Sequence, residues 1–244
     1  TNLPTIASTV RANPSAGFSI VSYTGNATAG ATFGHGLNAV PDMIIIKALD
    51  SVADGSWIVG HSAMGLGYAR LLLNSSTANN GTPGNVVAND LWNNTAATSS
   101  VVSIGSYNAV NDNGDDYIAY CFTAVDGYSS FGSYTGNGST DGPFVYTGFR
   151  PAFVMAKRSS GAGDWIMHDT TRTISNGTGD NNTLVANVAN SEDGYYTATQ
   201  VSVDYLSNGF KLRHAGGPLN DSSQTYIYAA FAEHPFSLNG GLAR

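Results

Sequence analysis

Charge is scarce in this chain. Its 244 residues include only 10 Lys and Arg and 17 Asp and Glu, with two glutamates (Glu192, Glu233) and three lysines (Lys47, Lys157, Lys211). Exposed helix faces are normally filled with Glu, Lys, Arg and Gln, whose straight side chains lose little rotamer freedom there, so long surface helices are excluded. The net charge of -7 leaves no basic stripe to replace counterions on phosphate, which argues against a nucleic-acid partner. Cysteine occurs once, as Cys121. One thiol makes neither an internal disulfide nor a zinc site of the CxxC type, and it leaves reducing and oxidising compartments equally open. No run approaches the ~18 apolar residues of a helical membrane span, the longest cluster lying around Met43 to Ile46. The opening residues show no secretory leader pattern.

What is present is an all-β alphabet. Hydrophobic residues make up 42%, with 13 Tyr, 10 Phe and 3 Trp, enough to bury a substantial core. Segments rich in β-branched and aromatic residues recur: Phe18 to Tyr23, Met43 to Lys47, Ser56 to Val59, Ser100 to Ile104 and Tyr117 to Phe122. Gly, Asn, Asp or Pro bounds each of them, as expected of strands and turns. The best helical window, Ala63 to Leu73, carries two glycines near its start and is expected to give one short turn at most.

An internal repeat sets the organisation. Ser22-Tyr-Thr-Gly-Asn26 returns as Ser133-Tyr-Thr-Gly-Asn137, Pro41 to Lys47 lines up with Pro151 to Lys157, and Gly55-Ser-Trp-Ile58 with Gly163-Asp-Trp-Ile166. Asn111-Asp112, Tyr117-Ile118 and Phe122 then match Asn220-Asp221, Tyr226-Ile227 and Phe231. Collinear matches predict two homologous modules, residues 18–126 and 128–236. Many short strands with regular turns suit an antiparallel β-sandwich of jelly-roll or lectin-like type for each. Residues 1–17 read as an extended arm that adds an edge strand or reaches a neighbouring chain, and 237–244 as a loose tail.

Several motifs invite a chemical reading. Gly60-His-Ser-Ala-Met-Gly65 resembles a nucleophile elbow, but the second glycine falls one position late and no βαβ frame surrounds it. Gly34-His-Gly-Leu-Asn-Ala39 fits a loose dinucleotide fingerprint, yet Val40-Pro41 follows and forbids the helix that would receive pyrophosphate. His35, His61, His168, His214 and His234 lack metal-ligand spacing and read as solitary surface or loop histidines. Trp57 and Trp165, flanked by isoleucine, read as core, whereas Trp92 in the polar string Asp90-Leu-Trp-Asn-Asn-Thr95 is a weak candidate for stacking on a sugar or partner, against a purely structural role. The run Asn111-Asp-Asn-Gly-Asp-Asp116 gathers oxygen side chains of the kind that hold calcium, against a plain hairpin turn. Trp92, Asn111, Asp112, Asp115 and Asp116 are therefore the ligand-binding candidates. No catalytic residue, metal ligand or cofactor is assigned.

Beyond these local readings, the phrases Gly17 to Asn26, Gly34-His-Gly-Leu37, Val40 to Lys47, Tyr117 to Phe122, Gly127 to Phe153, Leu206 to Lys211 and Tyr226 to Glu233 give the chain a wider likeness. It resembles a family of duplicated β modules in structural proteins of tailed bacteriophages, marine ones especially, in tail fibres and other virion-surface polypeptides. The resemblance implies a non-enzymatic virion structural protein, a tail-fibre or surface decoration subunit at the tail or capsid surface. Its expected partners are other copies of itself, for example as a trimer, other virion proteins, and a host surface glycan. Two alternatives stand beside it: a carbohydrate-binding adhesion module without a structural role, and a glycan depolymerase. The latter needs two carboxylates about 5 to 10 Å apart, which nothing in the sequence pairs.

Overall fold

Alternation of buried and exposed residues along short β-branched and aromatic segments produces strands with one face turned inward. A computed structural model of the chain describes residues 3–50, 55–78, 90–172, 176, 183–191, 196 and 200–235. The fold is all-β, with antiparallel sheets and two single-turn α-helices among the named elements. The chain divides into two units, Thr1–Leu73 with Asn79–Ala124, and Asn74–Ala78 with Val125–Arg244.

In the first unit the strands are β1 (Ser8–Asn13), β2 (Phe18–Thr24), β3 (Ala31–Gly34), β4 (Met43–Ala48), β5 (Trp57–His61), β6 (Leu71–Leu72), β7 (Val101–Ile104) and, after the single-turn α1 (Asn108–Asn111), β8 (Asp116–Phe122). A six-stranded sheet runs β1-β2-β8-β4-β5-β6, and β3 pairs with β7 in a second sheet. Tyr23, Ile44, Ile46, Ile58, Tyr117 and Ala119 of the large sheet share one buried cluster with Ala31, Phe33, Val102 and Ile104 of the small one, a sandwich-like arrangement. The arm supplies an edge strand to its own chain, pairing from Ser8 opposite Tyr23 to Asn13 opposite Phe18.

The second unit contains β9 (Ser129–Thr135), β10 (Phe144–Tyr146), β11 (Pro151–Arg158), β12 (Trp165–Asp169), β13 (Leu184–Val185), β14 (Val203–Leu206), β15 (Gly209–Leu212), the single-turn α2 (Gly217–Asn220) and β16 (Thr225–Ala232). Its large sheet runs β13-β12-β11-β16-β9 and its small sheet β10-β15-β14. Read from β9, that order has the same sequence of connections as β2-β8-β4-β5-β6. Tyr134, Val154, Ala156, Ile166 and Tyr226 meet Val145, Val203, Tyr205, Phe210 and Leu212 in one core.

The registers also correspond. Lys47 lies opposite Trp57 on β4 and β5, and Lys157 opposite Trp165 on β11 and β12. Trp165 is buried, while Trp57 is half-buried, short of the core position expected for it. The window expected to give one short turn holds a 3-10 turn, Ser62–Met64, followed by strand β6.

Candidate functional site

The repeated Ser-Tyr-Thr-Gly-Asn phrase builds a lock in each unit. Gly25 and Gly136 sit where a Cβ would stand 2.1 Å from the Asp112 carbonyl oxygen and 2.3 Å from that of Asp221, so only glycine permits the approach. The Asn26 amide then donates to Asn111 Oδ1 at 2.8 Å, and the Asn137 amide to Asn220 Oδ1 at 2.9 Å. Asn111 Nδ2 donates to the carbonyls of Thr28 and Gly105, and Asn220 Nδ2 to those of Ser139 and His214. Tyr23 donates to the Val110 carbonyl and Tyr134 to that of Leu219, while Tyr117 and Tyr226 accept from the Asp112 and Asp221 amides. The paired rings stack at 5.1 Å in both units, Tyr23 on Tyr117 and Tyr134 on Tyr226. Burial pushes the Tyr117 hydroxyl up to about 12 and holds those of Tyr23 and Tyr134 well above the usual tyrosine range.

This geometry corrects two of the ligand-binding assignments. Asn111 is fully buried, and its amide is spent on three backbone partners, so it presents nothing to a ligand. Trp92 is 1% exposed, with Nε1 donating to the Ala69 carbonyl at 3.1 Å. Its ring has no face free for a sugar, because Gly60 and its neighbours pack against it and it joins the core of the first unit. Asp112 and Asp116 are exposed and Asp115 half-buried. The Asp112 carboxylate accepts from the Asn113 amide and that of Asp116 from the Thr24 hydroxyl, while Asp115 contributes its carbonyl to the Gly25 amide. Among the described residues no three His, Cys, Asp or Glu side chains are grouped to hold a metal ion.

Four of the five histidines expected at the surface, His35, His61, His168 and His214, are buried instead; His234 is exposed. Each buried ring serves nearby backbone or a hydroxyl: His35 Nδ1 accepts from the Leu37 amide while Nε2 faces the Thr98 carbonyl, and His61 Nδ1 accepts from the Ala63 amide. His214 Nδ1 accepts from the Ser202 amide, and His168 Nε2 lies 3.4 Å from Thr183 Oγ1. Burial lowers the affinity of His35 and His214 for a proton and, with His214 nearby, takes His168 down to about 4.

The outer face of the small sheet in the second unit is different, because its apolar groups are exposed. Phe144 and Tyr146 are 44% and 66% exposed, with Val145 between them turned into the core. The pairing places Phe144, Lys211 and Asp204 in one row across the three strands and Tyr146, Gly209 and Leu206 in the next. Phe144 lies over Gly209, where a Cβ would stand 2.9 Å from ring atoms Cε2 and Cζ. Lys211 Nζ meets Asp141 Oδ1 at 2.9 Å and the Gly142 carbonyl at 2.9 Å, and Arg213 Nε meets Asp204 Oδ2 at 2.8 Å. Lys211 holds the Asp141 carboxyl below its usual range by hydrogen bond and charge. Asp204 itself is buried, so the result is two rings on a β edge beside two cations and the exposed Asp141 carboxylate, a face suited to a ligand with an apolar side and a hydroxylated rim. The sequence signal was the alternation Gly142-Pro-Phe-Val-Tyr-Thr147, overlooked because an exposed and a buried aromatic read alike in a strand.

Two depressions in the first unit offer less. One, of about 430 Å³, is lined mainly by Thr, Ala and Ser side chains with Leu3 and Asn93; the other, of about 290 Å³, has Asp116 as its one ionisable carboxylate.

No curated protein and no solved structure matches the chain. One family does, over residues 2–235, described as a domain of unknown function (DUF7483). By that match, which takes in both locks and the exposed aromatic face, the chain belongs to the DUF7483 domain family.

Proposed function

We propose that the chain is a bacteriophage virion structural protein, a tail-fibre or surface decoration subunit made of two copies of one ancestral sandwich and assembling into an oligomer. The observation that carries this reading is the repeated lock. The same Gly, Asn and Tyr residues make the same bonds in both units. Their polar groups, and those of four histidines, are directed to the protein's own backbone and hydroxyls, which suits a part valued for rigidity and contact. A surface poor in Lys and Glu and rich in Asn, Ser, Thr and Gly suits broad polar contacts between subunits. The resemblance to phage structural modules adds the setting, a virion surface.

Size-exclusion chromatography with light scattering tests the assembly, and imaging of a particle carrying the chain tests its place on head, tail or fibre. An oligomer located on a virion is the expected result. A strict monomer that associates with no virion component overturns the reading. A second reading, adhesion to carbohydrate, is favoured by the exposed rings of Phe144 and Tyr146.

A further inference from the structure

We propose that the outer face of β10 and β15 is a saccharide-binding site for neutral glycans, with Phe144 and Tyr146 as the stacking rings. The inference rests on the adhesion reading and gives it a place and a ligand class. Pyranose rings have one face lined by C–H bonds and an edge crowded with hydroxyls. The C–H face is attracted to the negative face of an aromatic ring, and the hydroxyls need donors and acceptors at the rim. Phe144 and Tyr146, two residues apart on one strand, project to the same side of the sheet. Beside them stand donors on Lys211 and Arg213, and acceptors on Asp141, whose side chain is 83% exposed.

The charges decide which glycan. Lys211 is paired with Asp141 and Arg213 with Asp204, so the four groups sum to zero and leave no surplus cation to recognise a uronate or sialate. Neutral hydroxyls, in contrast, can accept from the cations and donate to the exposed Asp141 carboxylate without breaking either pair. Area argues against a second copy of the chain as occupant. Two rings that are each about half exposed offer roughly 200 Å². A stable protein interface needs about 800 Å² per partner, and its centre is depleted in charge.

Affinity electrophoresis provides the test, with the whole chain run in native gels containing dextran, β-glucan or galactomannan as neutral probes and alginate or polygalacturonate as acidic ones. Retardation is expected in at least one neutral gel and in neither acidic gel. Tyr146→Ala together with Phe144→Ala should weaken it by about tenfold or more. Tyr146→Phe, which keeps the ring, should retain most of it and controls for folding. No retardation by any neutral probe overturns the inference, as does retardation that survives the double substitution or appears only with acidic probes. Conversion of an oligomer to a monomer by the double substitution overturns it in favour of a second copy on this face. A negative gel result with the oligomer and virion location intact removes the sugar site and leaves the structural assignment standing.

Discussion

Lys47 and Lys157 hold the same register position, each opposite a tryptophan, yet their surroundings differ. Lys47 is half-buried and donates to the Ala48 carbonyl. Lys157 is fully buried, with Nζ donating to the carbonyls of Gly163, Thr77 and Ser76. The last two lie in residues 74–78, the segment that leaves the first half of the sequence to join the second unit. Asp164 nearby accepts from Asn187 Nδ2 and from the Tyr196 hydroxyl, extending a buried polar network. Both units bury two histidines, but the second also encloses a lysine and a carboxylate, where the first leaves its matching lysine half-buried and adds an arm strand at its edge. One strand order thus accommodates two kinds of interior, because the lock and the sheets fix the backbone and leave the fill free to diverge.

The lock is where the units should behave alike and where the largest effect lies. Asn111→Ala removes three side-chain hydrogen bonds and Asn220→Ala four, and each leaves one buried carbonyl, of Gly105 or His214, without its donor, a loss of about 3–5 kcal/mol. Urea unfolding of the whole chain measures it. Trp165 fluorescence reports the second unit, and that of Trp57 and Trp92 the first. Near-equal losses are expected; a large loss in one unit with little in the other would break the equivalence.

Acid should separate the units. His168 protonates at about 4 in the fold, against an ordinary 6.5 when unfolded. Between those values the unfolded chain binds the proton and the folded chain does not, so stability is full above pH 6.5 and falls as pH drops towards 4. The loss from this residue is on the order of 3 kcal/mol. His214, also lowered, adds to it in the second unit, whereas the first unit carries a lowered group in His35. Trp165 unfolding is therefore expected to lose more stability between pH 7 and 4.5 than Trp57 and Trp92 unfolding. His168→Leu should flatten the second unit's dependence, and an unchanged slope would remove His168 as its cause.

The legible and illegible parts of this molecule divide by distance along the chain. Strand segments and the glycine of each lock were readable because alternation and a repeated pentapeptide are local. That Asn111 is an interior strut was not, because its partners Asn26 and Thr28 lie 85 and 83 residues away and an Asn-Asp-Asn string alone reads as a turn. Trp92 misled for the same reason, since its polar neighbours say nothing about the Ala69 carbonyl that receives its indole N–H. The histidines looked solitary in sequence because their partners are mostly backbone groups, which no side-chain pattern records. The exposed aromatic face was hidden because burial of Val145 and exposure of Phe144 and Tyr146 depend on which side of the sheet faces the core.

The two lysines give the smallest contrast and the sharpest one. Lys47→Met removes a half-buried cation whose single carbonyl partner lies at the next residue, so a change below about 0.5 kcal/mol is expected. Lys157→Met leaves the Thr77 and Gly163 carbonyls without this donor; Ser76 keeps the Gly163 amide. The lysine's own desolvation opposes that loss, since burial takes its proton affinity down to about 8, and methionine is relieved of it. The net cost of Lys157→Met is then about 2 kcal/mol, smaller than three charge-assisted bonds alone would suggest. Urea unfolding reads the difference, with Trp57 and Trp92 fluorescence for Lys47→Met and Trp165 fluorescence for Lys157→Met. Equal effects at 47 and 157 would mean that the covering segment contributes nothing and that the two interiors are energetically one.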